Sequence, residues 1–293
     1  MMRLVHLGAA IEAGPRVTRR ACRVDGRLFH YGEVIGHDEE GEVGPTVLLV
    51  HGWGLGYSSY TRAAQHLAIR GFRVLLPDLP GFGRSTDLAF TRVNFESFAL
   101  SLRGFLERTH ETSESGLMPV HVVGHSFGGA VSARLAHDAP ELVASLVLVD
   151  AAIGATWSRD DDRERLMTER PLWDWAIHLV HEFPMGEFPE AATSLLRDLG
   201  HNLIWHLPNL GLVAHITRRS DIREELKRVS DLGIPVSVVW ASGDRVVTKA
   251  CFDDQCLAAS CEGTVVDGNH GWPFANPSSF GRVIAELLPR RSS

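Results

Sequence analysis

Short runs of β-branched and aliphatic residues alternate along this chain with longer amphipathic stretches, and no other sequence feature constrains the fold as strongly. The strand-like runs are Thr46–Val50, Arg73–Leu76, Val120–Val123, Leu146–Val149, Val236–Trp240 and Thr264–Val266. The helix-like runs lie around residues 59–70, 94–109, 127–138, 250–259 and 277–288. Because strands that alternate with helices are typical of βαβ units, we predict an α/β fold around a mainly parallel sheet.

Two segments depart from this alternation. Ala21–Val24 and Arg27–Ile35 are strand-like and are separated by an Asp-Gly turn dipeptide, which predicts an antiparallel hairpin. Residues 153–221 consist of helix-like pieces interrupted by prolines, without a convincing strand, which indicates an inserted helical cap. The predicted α/β core therefore comprises residues 1–152 and 222–293.

Composition excludes several classes of protein. The 293-residue chain is 44% hydrophobic and 22% charged, as expected of a globular protein, and its net charge of -7 argues against a nucleic-acid partner. The four cysteines lack CxxC spacing and are interpreted as reduced thiols. No signal-peptide core is present, and no run approaches the roughly 18 apolar residues of a membrane span. We therefore expect a cytoplasmic protein that acts on a small molecule.

The pentapeptide Gly124-His125-Ser126-Phe127-Gly128 lies where a strand-like run meets a helix-like run. It has the form G-x-S-x-G, in which small residues on both sides of the serine let the chain turn tightly and expose the hydroxyl at the carboxyl edge of the sheet. The following helix would direct its N-terminal amides toward an oxyanion formed there. Because such a pentapeptide also occurs by chance, the strand–turn–helix context carries the prediction that Ser126 is a nucleophile.

A serine hydroxyl needs an imidazole to accept its proton and a carboxylate to orient that imidazole. His270 follows the last predicted strand in a glycine-rich loop and is the candidate base. Asp244 follows the strand-like run Val236–Trp240 in a Gly-Asp turn and is the favoured acid, since the chain order Ser, Asp, His is the order expected for this turn. Asp150, at the end of the preceding strand, is the alternative acid or else a turn cap.

The predicted cap is rich in tryptophan. Some of these rings are expected to line a substrate pocket, although they could instead form the cap's own core and its contact with the sheet. The tentative pocket residues are Trp157, Trp173, Trp175, Trp205 and, beyond the cap, Trp272. His178 and His181 lie one helical turn apart but have no H-E-x-x-H motif or third ligand, so we predict no metal site. The expected chemistry requires no metal ion and no organic cofactor.

Five motifs follow one another in the order of a known family. They are HGWG (His51–Gly54), PDLPGFGRS (Pro77–Ser85), GHSFGG (Gly124–Gly129), SGDRVV (Ser242–Val247) and GNHGWP (Gly268–Pro273). With these motifs the chain resembles the α/β-hydrolase family over most of its length. The resemblance implies an eight-stranded, mostly parallel sheet flanked by helices, with a cap after strand six. It also implies that the backbone N–H groups of Trp53 and Phe127 form an oxyanion hole, although Trp53 could simply roof the pocket.

Two departures from relatives narrow the expected chemistry. Haloalkane dehalogenases and epoxide hydrolases carry an aspartate at the position of Ser126, and the lipase-type HGGG is replaced by HGWG. This combination is similar to small-substrate esterases, carbon–carbon bond hydrolases and cofactor-free haloperoxidases. We expect a serine hydrolase that cleaves a small to medium, largely apolar carboxylic ester through an acyl-enzyme. The alternatives are a carbon–carbon bond hydrolase or lyase with the same triad, or a ligand receptor of this fold with little turnover.

Overall fold

The structure, a computed structural model, describes residues 14–37, 40–110, 118–154, 156–158, 164–171 and 189–289. Its strands are β1 (Val17–Val24), β2 (Arg27–Val34), β3 (Thr46–Val50), β4 (Arg73–Pro77), β5 (Val120–His125), β6 (Val143–Val149), β7 (Thr156–Ser158), β8 (Glu164–Leu166), β9 (Val236–Ala241) and β10 (Thr264–Val266). Its α-helices are α1 (Thr61–Ala68), α2 (Phe95–His110), α3 (Phe127–Asp138), α4 (Pro189–Trp205), α5 (Leu207–Thr217), α6 (Arg223–Asp231), α7 (Lys249–Ala259), α8 (Trp272–Ala275) and α9 (Pro277–Leu287).

Eight of these strands form one sheet in the order β1-β2-β4-β3-β5-β6-β9-β10. The hairpin strands β1 and β2 are antiparallel to each other, and β2 is antiparallel to β4, whereas all other neighbours pair in parallel. Asp25 and Gly26 turn the hairpin with φ values of 48° and 78°, the positive φ pair that a two-residue hairpin turn requires. The prediction of an eight-stranded, mainly parallel sheet is confirmed.

Helices cover both faces of the sheet, which explains why β3 is apolar throughout. Val47 and Leu49 pack on one face into the core that contains α1 and α9, while Leu48 and Val50 pack on the other face with α2, α3 and α6. Successive side chains of a strand point to opposite faces, so a strand covered on both sides reads as a continuous apolar run.

The segment between β6 and β9 differs in one respect from the sequence-based expectation. β7 and β8 form a two-stranded antiparallel sheet, with Trp157 opposite Arg165 in the register. The expectation that residues 153–221 contain no strand is therefore wrong. Each strand has only three residues, Thr-Trp-Ser and Glu-Arg-Leu, and neither is the β-branched or aliphatic run that identifies a short strand such as β10 in a sequence.

The parallel strands bring several loops to one edge of the sheet. The carboxyl ends of β3, β5, β6, β9 and β10 lead into the segments that contain Trp53, Ser126, Asp150, Asp244 and His270. Ligands of open α/β sheets bind at this edge, outside the carboxyl ends of the strands. None of the helices within the described ranges is long and apolar enough to cross a membrane.

Candidate active site

Ser126 occupies a strained turn between β5 and α3. Its φ of 54° and ψ of -123° lie outside the regions that residues with a side chain normally adopt. The Ser126 amide donates to the carbonyl of Val149 at 3.0 Å, and the Ser126 carbonyl accepts from the amides of Gly129 at 2.9 Å and Ala152 at 3.0 Å. These bonds to β6, to the loop after β6 and to α3 hold the residue in a conformation that it would not keep alone.

The glycines around Ser126 allow α3 to pack directly against the sheet. A Cβ atom on Gly128 would lie 2.5 Å from the carbonyl oxygens of Val50 and His51, and one on Gly129 would lie 2.4 Å from the Cβ atom of Ala151. Both distances are well below van der Waals contact, and the first involves backbone that cannot yield. The small residues of the G-x-S-x-G motif are therefore required by the close approach of this helix to β3 and β6.

The structure brings together Ser126, His270 and Asp244. His270 Nε2 lies 3.0 Å from Ser126 Oγ, and His270 Nδ1 lies 2.7 Å from Asp244 Oδ2. The second oxygen of Asp244 accepts from the amides of Val246 at 2.6 Å and Val247 at 2.9 Å. With Asp244 Oδ2 as the acceptor, Nδ1 carries the ring proton and Nε2 is left to accept a hydrogen bond from the Ser126 hydroxyl.

Asp150, the alternative acid, is also buried near this group. Its Oδ1 accepts from the amide of Ala241 at 2.8 Å, which ties the end of β6 to the end of β9. Atoms of Asp150, His125 and His270 that could ligate a metal ion lie within 4.8 Å of one another. His270 Nδ1, however, donates to Asp244 Oδ2 at 2.7 Å.

A buried hydrogen-bonded chain connects His270 to the loop after β3. The imidazole of His125 lies 3.0 Å from the His270 carbonyl through Nε2 and 2.7 Å from the Tyr60 hydroxyl through Nδ1, and that hydroxyl accepts from the Gly52 amide at 2.9 Å. Since a carbonyl only accepts, His125 Nε2 is the donor and Nδ1 accepts from Tyr60. Burial, together with the neighbouring His270, lowers the pKa of His125 well below its usual value. Both nitrogens of His125 are thus used, which argues against a metal ion on this trio.

The two amides predicted to form an oxyanion hole lie on neighbouring strand ends. Trp53 follows β3, and Phe127 is the first residue of α3, so its N–H has no acceptor within that helix. β3 and β5 are adjacent in the sheet. The half-buried Trp53 side chain donates from Nε1 to the carbonyl of Leu210 in α5 at 2.9 Å. The indole therefore also contacts the segment between β6 and β9.

Of the five predicted aromatic pocket residues, the structure describes the side chains of two, Trp205 and Trp272. Trp272 is buried in the core, where its ring packs against Phe280 with 5.4 Å between centroids, and Trp205 is 69% exposed on the surface of α4. The backbone of Trp157 belongs to β7. The remaining candidates, Trp173 and Trp175, and the histidine pair His178 and His181 lie outside the described residues.

Sequence reasoning missed several polar residues that hold the site. Tyr60 is 65 residues from its partner His125, and Asp198 and Asn202 of α4 bond to a loop 140 or more residues earlier. None of these residues belongs to a motif, so the sequence offers no signal for them. Only the folded chain brings them beside Gly52 and Gly54.

A family model described as the alpha/beta hydrolase fold matches residues 45–250, which is most of the chain. The chain belongs to this family. Among curated proteins, this alpha/beta hydrolase is 38% identical to lipase LipV of Mycobacterium tuberculosis over 266 residues, covering 86% of this chain and 96% of LipV. It is 28% identical to lipase 1 of Psychrobacter immobilis over 226 residues, covering 74% of this chain and 68% of that lipase. Several other curated relatives are matched over about half of their length or less.

Solved structures show the same fold. An esterase from Thermogutta terrifontis superposes with a TM-score of 0.68 at 19% sequence identity, covering 92% of this chain and 98% of the esterase. At this identity the likeness concerns the arrangement of the backbone. The family model and the lipase relatives identify the chain as a member of a family of hydrolases.

Proposed function

We propose that this protein is a serine hydrolase that cleaves a small to medium, largely apolar carboxylic ester, with Ser126 as nucleophile, His270 as base and Asp244 as the acid that orients His270. The observation that carries the proposal is the continuous set of contacts from Ser126 Oγ through the His270 ring to Asp244 Oδ2, at 3.0 Å and 2.7 Å. Nucleophile, base and orienting carboxylate within hydrogen-bond distance are the signature of an activated serine.

In the proposed acylation step, Ser126 Oγ attacks the ester carbonyl while His270 Nε2 takes the hydroxyl proton. The carbonyl oxygen becomes negatively charged and is stabilised by the amides of Trp53 and Phe127, with support from the N-terminal end of α3. The carboxylate of Asp244 stabilises the imidazolium ion that forms. His270 then gives the proton to the leaving alcohol, and the acyl group remains on Ser126.

In the deacylation step, a water molecule takes the place of the alcohol. His270 Nε2 removes a proton from this water as it attacks the acyl carbon, and the same two amides bind the second oxyanion. The proton then returns to Ser126 Oγ as the carboxylic acid leaves. The residues named supply every proton transfer, so both half-reactions use one histidine in alternating roles.

We further propose that residues 153–221 form a cap over this site and set its preference for an apolar substrate. The support comes from two contacts between this segment and the loop after β3. Leu199 of α4 lies beside the loop after β3, 3.3 Å from where a Cβ atom on Gly54 would be, and Leu210 of α5 bonds to the Trp53 indole. Both α4 and α5 are rich in leucine, which favours an apolar acyl or alcohol group over a charged one.

The test is intact mass spectrometry after treatment with a fluorophosphonate, followed by hydrolysis rates for p-nitrophenyl esters of increasing acyl length. We expect the wild-type protein, but not Ser126→Ala, to gain the mass of one phosphonyl group and to turn over esters, with a rate profile that reports the size of the pocket. Labelling without ester turnover would contradict ester hydrolysis and favour carbon–carbon bond cleavage or a receptor role. Absence of labelling would remove Ser126 as the nucleophile.

A further inference from the structure

Helix α4 holds the loop that follows β3 through two buried polar side chains. We call residues 52–56 the oxyanion loop, since it contains Trp53. Its backbone runs without regular secondary structure, and Gly54 adopts a positive φ of 75°. Such a loop needs external partners to keep one conformation, because its peptide groups do not form a ladder with a neighbouring strand.

Asn202 provides the central partner of the oxyanion loop. The side chain is fully buried, and its Nδ2 donates to the carbonyls of Gly54 at 2.8 Å and Leu55 at 3.1 Å. Its Oδ1 accepts from the amide of Gly83 at 2.8 Å, in the loop after β4. The Asn202 side chain therefore joins α4 to two core loops, and both its nitrogen and its oxygen have hydrogen-bond partners.

Asp198, one helical turn earlier, holds the far end of the oxyanion loop. Its Oδ2 accepts from the amides of Gly56 and Ser59, both at 3.1 Å, and from the Ser59 hydroxyl at 2.6 Å. Its Oδ1 accepts from the Ser58 hydroxyl at 2.5 Å. The Asp198 carboxylate is buried and accepts four hydrogen bonds, which offset the cost of removing it from water.

The Trp53 amide lies between two anchored residues. On one side the Gly52 amide donates to the Tyr60 hydroxyl, a contact within the core, and on the other side the Gly54 carbonyl accepts from Asn202. The position of the Trp53 N–H thus depends on Tyr60, which holds the preceding residue Gly52, and on Asn202, which holds the following residue Gly54. The indole of Trp53 itself donates to the Leu210 carbonyl and packs against the core.

We propose that Asn202, supported by Asp198, is a positioning residue that fixes the Trp53 amide where it binds the oxyanion. This inference rests on the proposed function, because an oxyanion forms only if Ser126 attacks a carbonyl. An oxyanion donor acts in the transition state and little in the ground state, so its displacement lowers kcat and leaves KM nearly unchanged. The activity of the core would then depend on the docking of a helix that contributes no catalytic group.

The first test compares two isosteric substitutions. Asn202→Asp keeps the shape of the side chain but replaces its donors with carboxylate oxygens that face the Gly54 and Leu55 carbonyls. The matched control is Asn209→Asp, since Asn209 in α5 is equally buried and donates Nδ2 to the Gly81 carbonyl at 2.8 Å, away from the oxyanion loop. We expect Asn202→Asp to lower kcat for a p-nitrophenyl ester by about 30-fold to 100-fold, in line with a misplaced catalytic group.

The same assay separates positioning from general damage. KM should change by no more than about twofold in Asn202→Asp, the pH profile of kcat should keep its shape, and Asn209→Asp should retain kcat within about threefold. Asn202→Ser, which leaves out the carboxylate, provides the same comparison if Asn202→Asp does not fold. An equal loss of kcat in the Asn202 and Asn209 variants, or an unchanged kcat in the Asn202 variants, would overturn the proposal.

The second test needs no activity. Amide hydrogen exchange of peptides that cover residues 52–59 should become faster in the Asn202 variant and not in Asn209→Asp, while exchange in β5 stays as in the wild type. Unchanged exchange of the oxyanion loop in the Asn202 variant would contradict the anchoring. If the wild-type protein cleaves no ester but the exchange responds as expected, the proposed function fails and the anchoring by α4 stands.

Discussion

The orientation of His270 depends on one carboxylate. Asp244 Oδ2 lies 2.7 Å from His270 Nδ1 and fixes the tautomer that leaves Nε2 facing Ser126. Asp244→Asn places an N–H or a neutral oxygen there, which favours the wrong tautomer and removes the charge that stabilises the imidazolium ion. We expect kcat for ester hydrolysis to fall by about 10⁴, as at the equivalent position of other serine triads, with a small change in KM.

Asp150→Asn is the matched control for this prediction. Asp150 is a buried aspartate in the same cluster, and its asparagine variant can still accept from the Ala241 amide through Oδ1. We expect a decrease in kcat of less than about tenfold for Asp150→Asn, because no step of the proposed mechanism passes through it. A larger loss in Asp150→Asn than in Asp244→Asn would assign the role of acid to Asp150 instead.

At the scale of elements, the position of Ser126 depends on how closely α3 packs against β3. Gly128→Ala would place a methyl group 2.5 Å from the carbonyl oxygens of Val50 and His51, so the helix must move away from the strand. We expect the free energy of unfolding to fall by about 3 kcal/mol, the upper part of the range for overpacking. Denaturation in urea measures the loss of stability, and the rate of fluorophosphonate labelling reports the effect on the position of Ser126.

Gly200→Ala in α4 is the control for helix propensity. A Cβ atom on Gly200 has no neighbour within 4 Å among the described residues. The same substitution there should stabilise the protein by up to about 1 kcal/mol, since alanine is the better helix former. A comparable loss of stability in both variants would show that the contact with Val50 and His51 is not the cause.

Elements with a marked apolar pattern could be predicted from the sequence, including the three-residue strand β10, whereas several short or mostly polar elements could not. Runs such as Thr46–Val50 are apolar on both faces, and the resemblance in five motifs implied an eight-stranded, mostly parallel sheet. The three-residue strands β7 and β8 lack a periodic pattern, and helix α6 was not predicted because only Leu226 and Val229 of its nine residues are buried and apolar. Sequence patterns report burial over several residues, so short or mostly polar elements leave little trace.

The candidate site likewise contains residues that the sequence predicts and residues that it does not. Ser126, Asp244 and His270 lie in glycine-rich turns that directly follow strands, where position itself is informative, and their catalytic roles stay predictions. Tyr60 and Asn202 have no such context, and their partners lie 65 and 148 residues away. Pairwise contacts between distant, unremarkable segments depend on how the chain packs, which one sequence does not reveal.

For the whole molecule, two buried groups next to the site make opposite contributions to stability as the pH changes. Burial raises the pKa of Asp78 from 3.8 to about 7, and burial lowers the pKa of His51 from 6.5 to about 4. Unfolding therefore releases a proton from Asp78 between pH 4 and 7, whereas it takes up a proton on His51 between pH 4 and 6.5. Stability from Asp78 falls with rising pH across this window, and stability from His51 rises.

The contribution of Asp78 can be isolated by substitution. Asp78 accepts from the amides of Tyr57 at 2.7 Å and Arg84 at 3.1 Å, and Asp78→Asn keeps one of these bonds without burying a charge at high pH. We expect the variant to lose stability relative to the wild type at pH 4, where Asp78 is protonated. This deficit should shrink or reverse toward pH 7, with a slope of at most about 1.4 kcal/mol per pH unit, because folding of the wild type, but not of the variant, must then take up a proton on Asp78.

Urea denaturation of both proteins at half-unit intervals from pH 4 to pH 8 measures this difference. Subtracting the two curves cancels His51 and every other group that the substitution leaves unchanged. Asp231→Asn, at a largely exposed position on α6, controls for the general effect of removing one negative charge. A difference between Asp78→Asn and the wild type that stays constant over this pH range would contradict the raised pKa, and the Asp78 carboxylate would then be ionised in the folded protein throughout, held by the two amides.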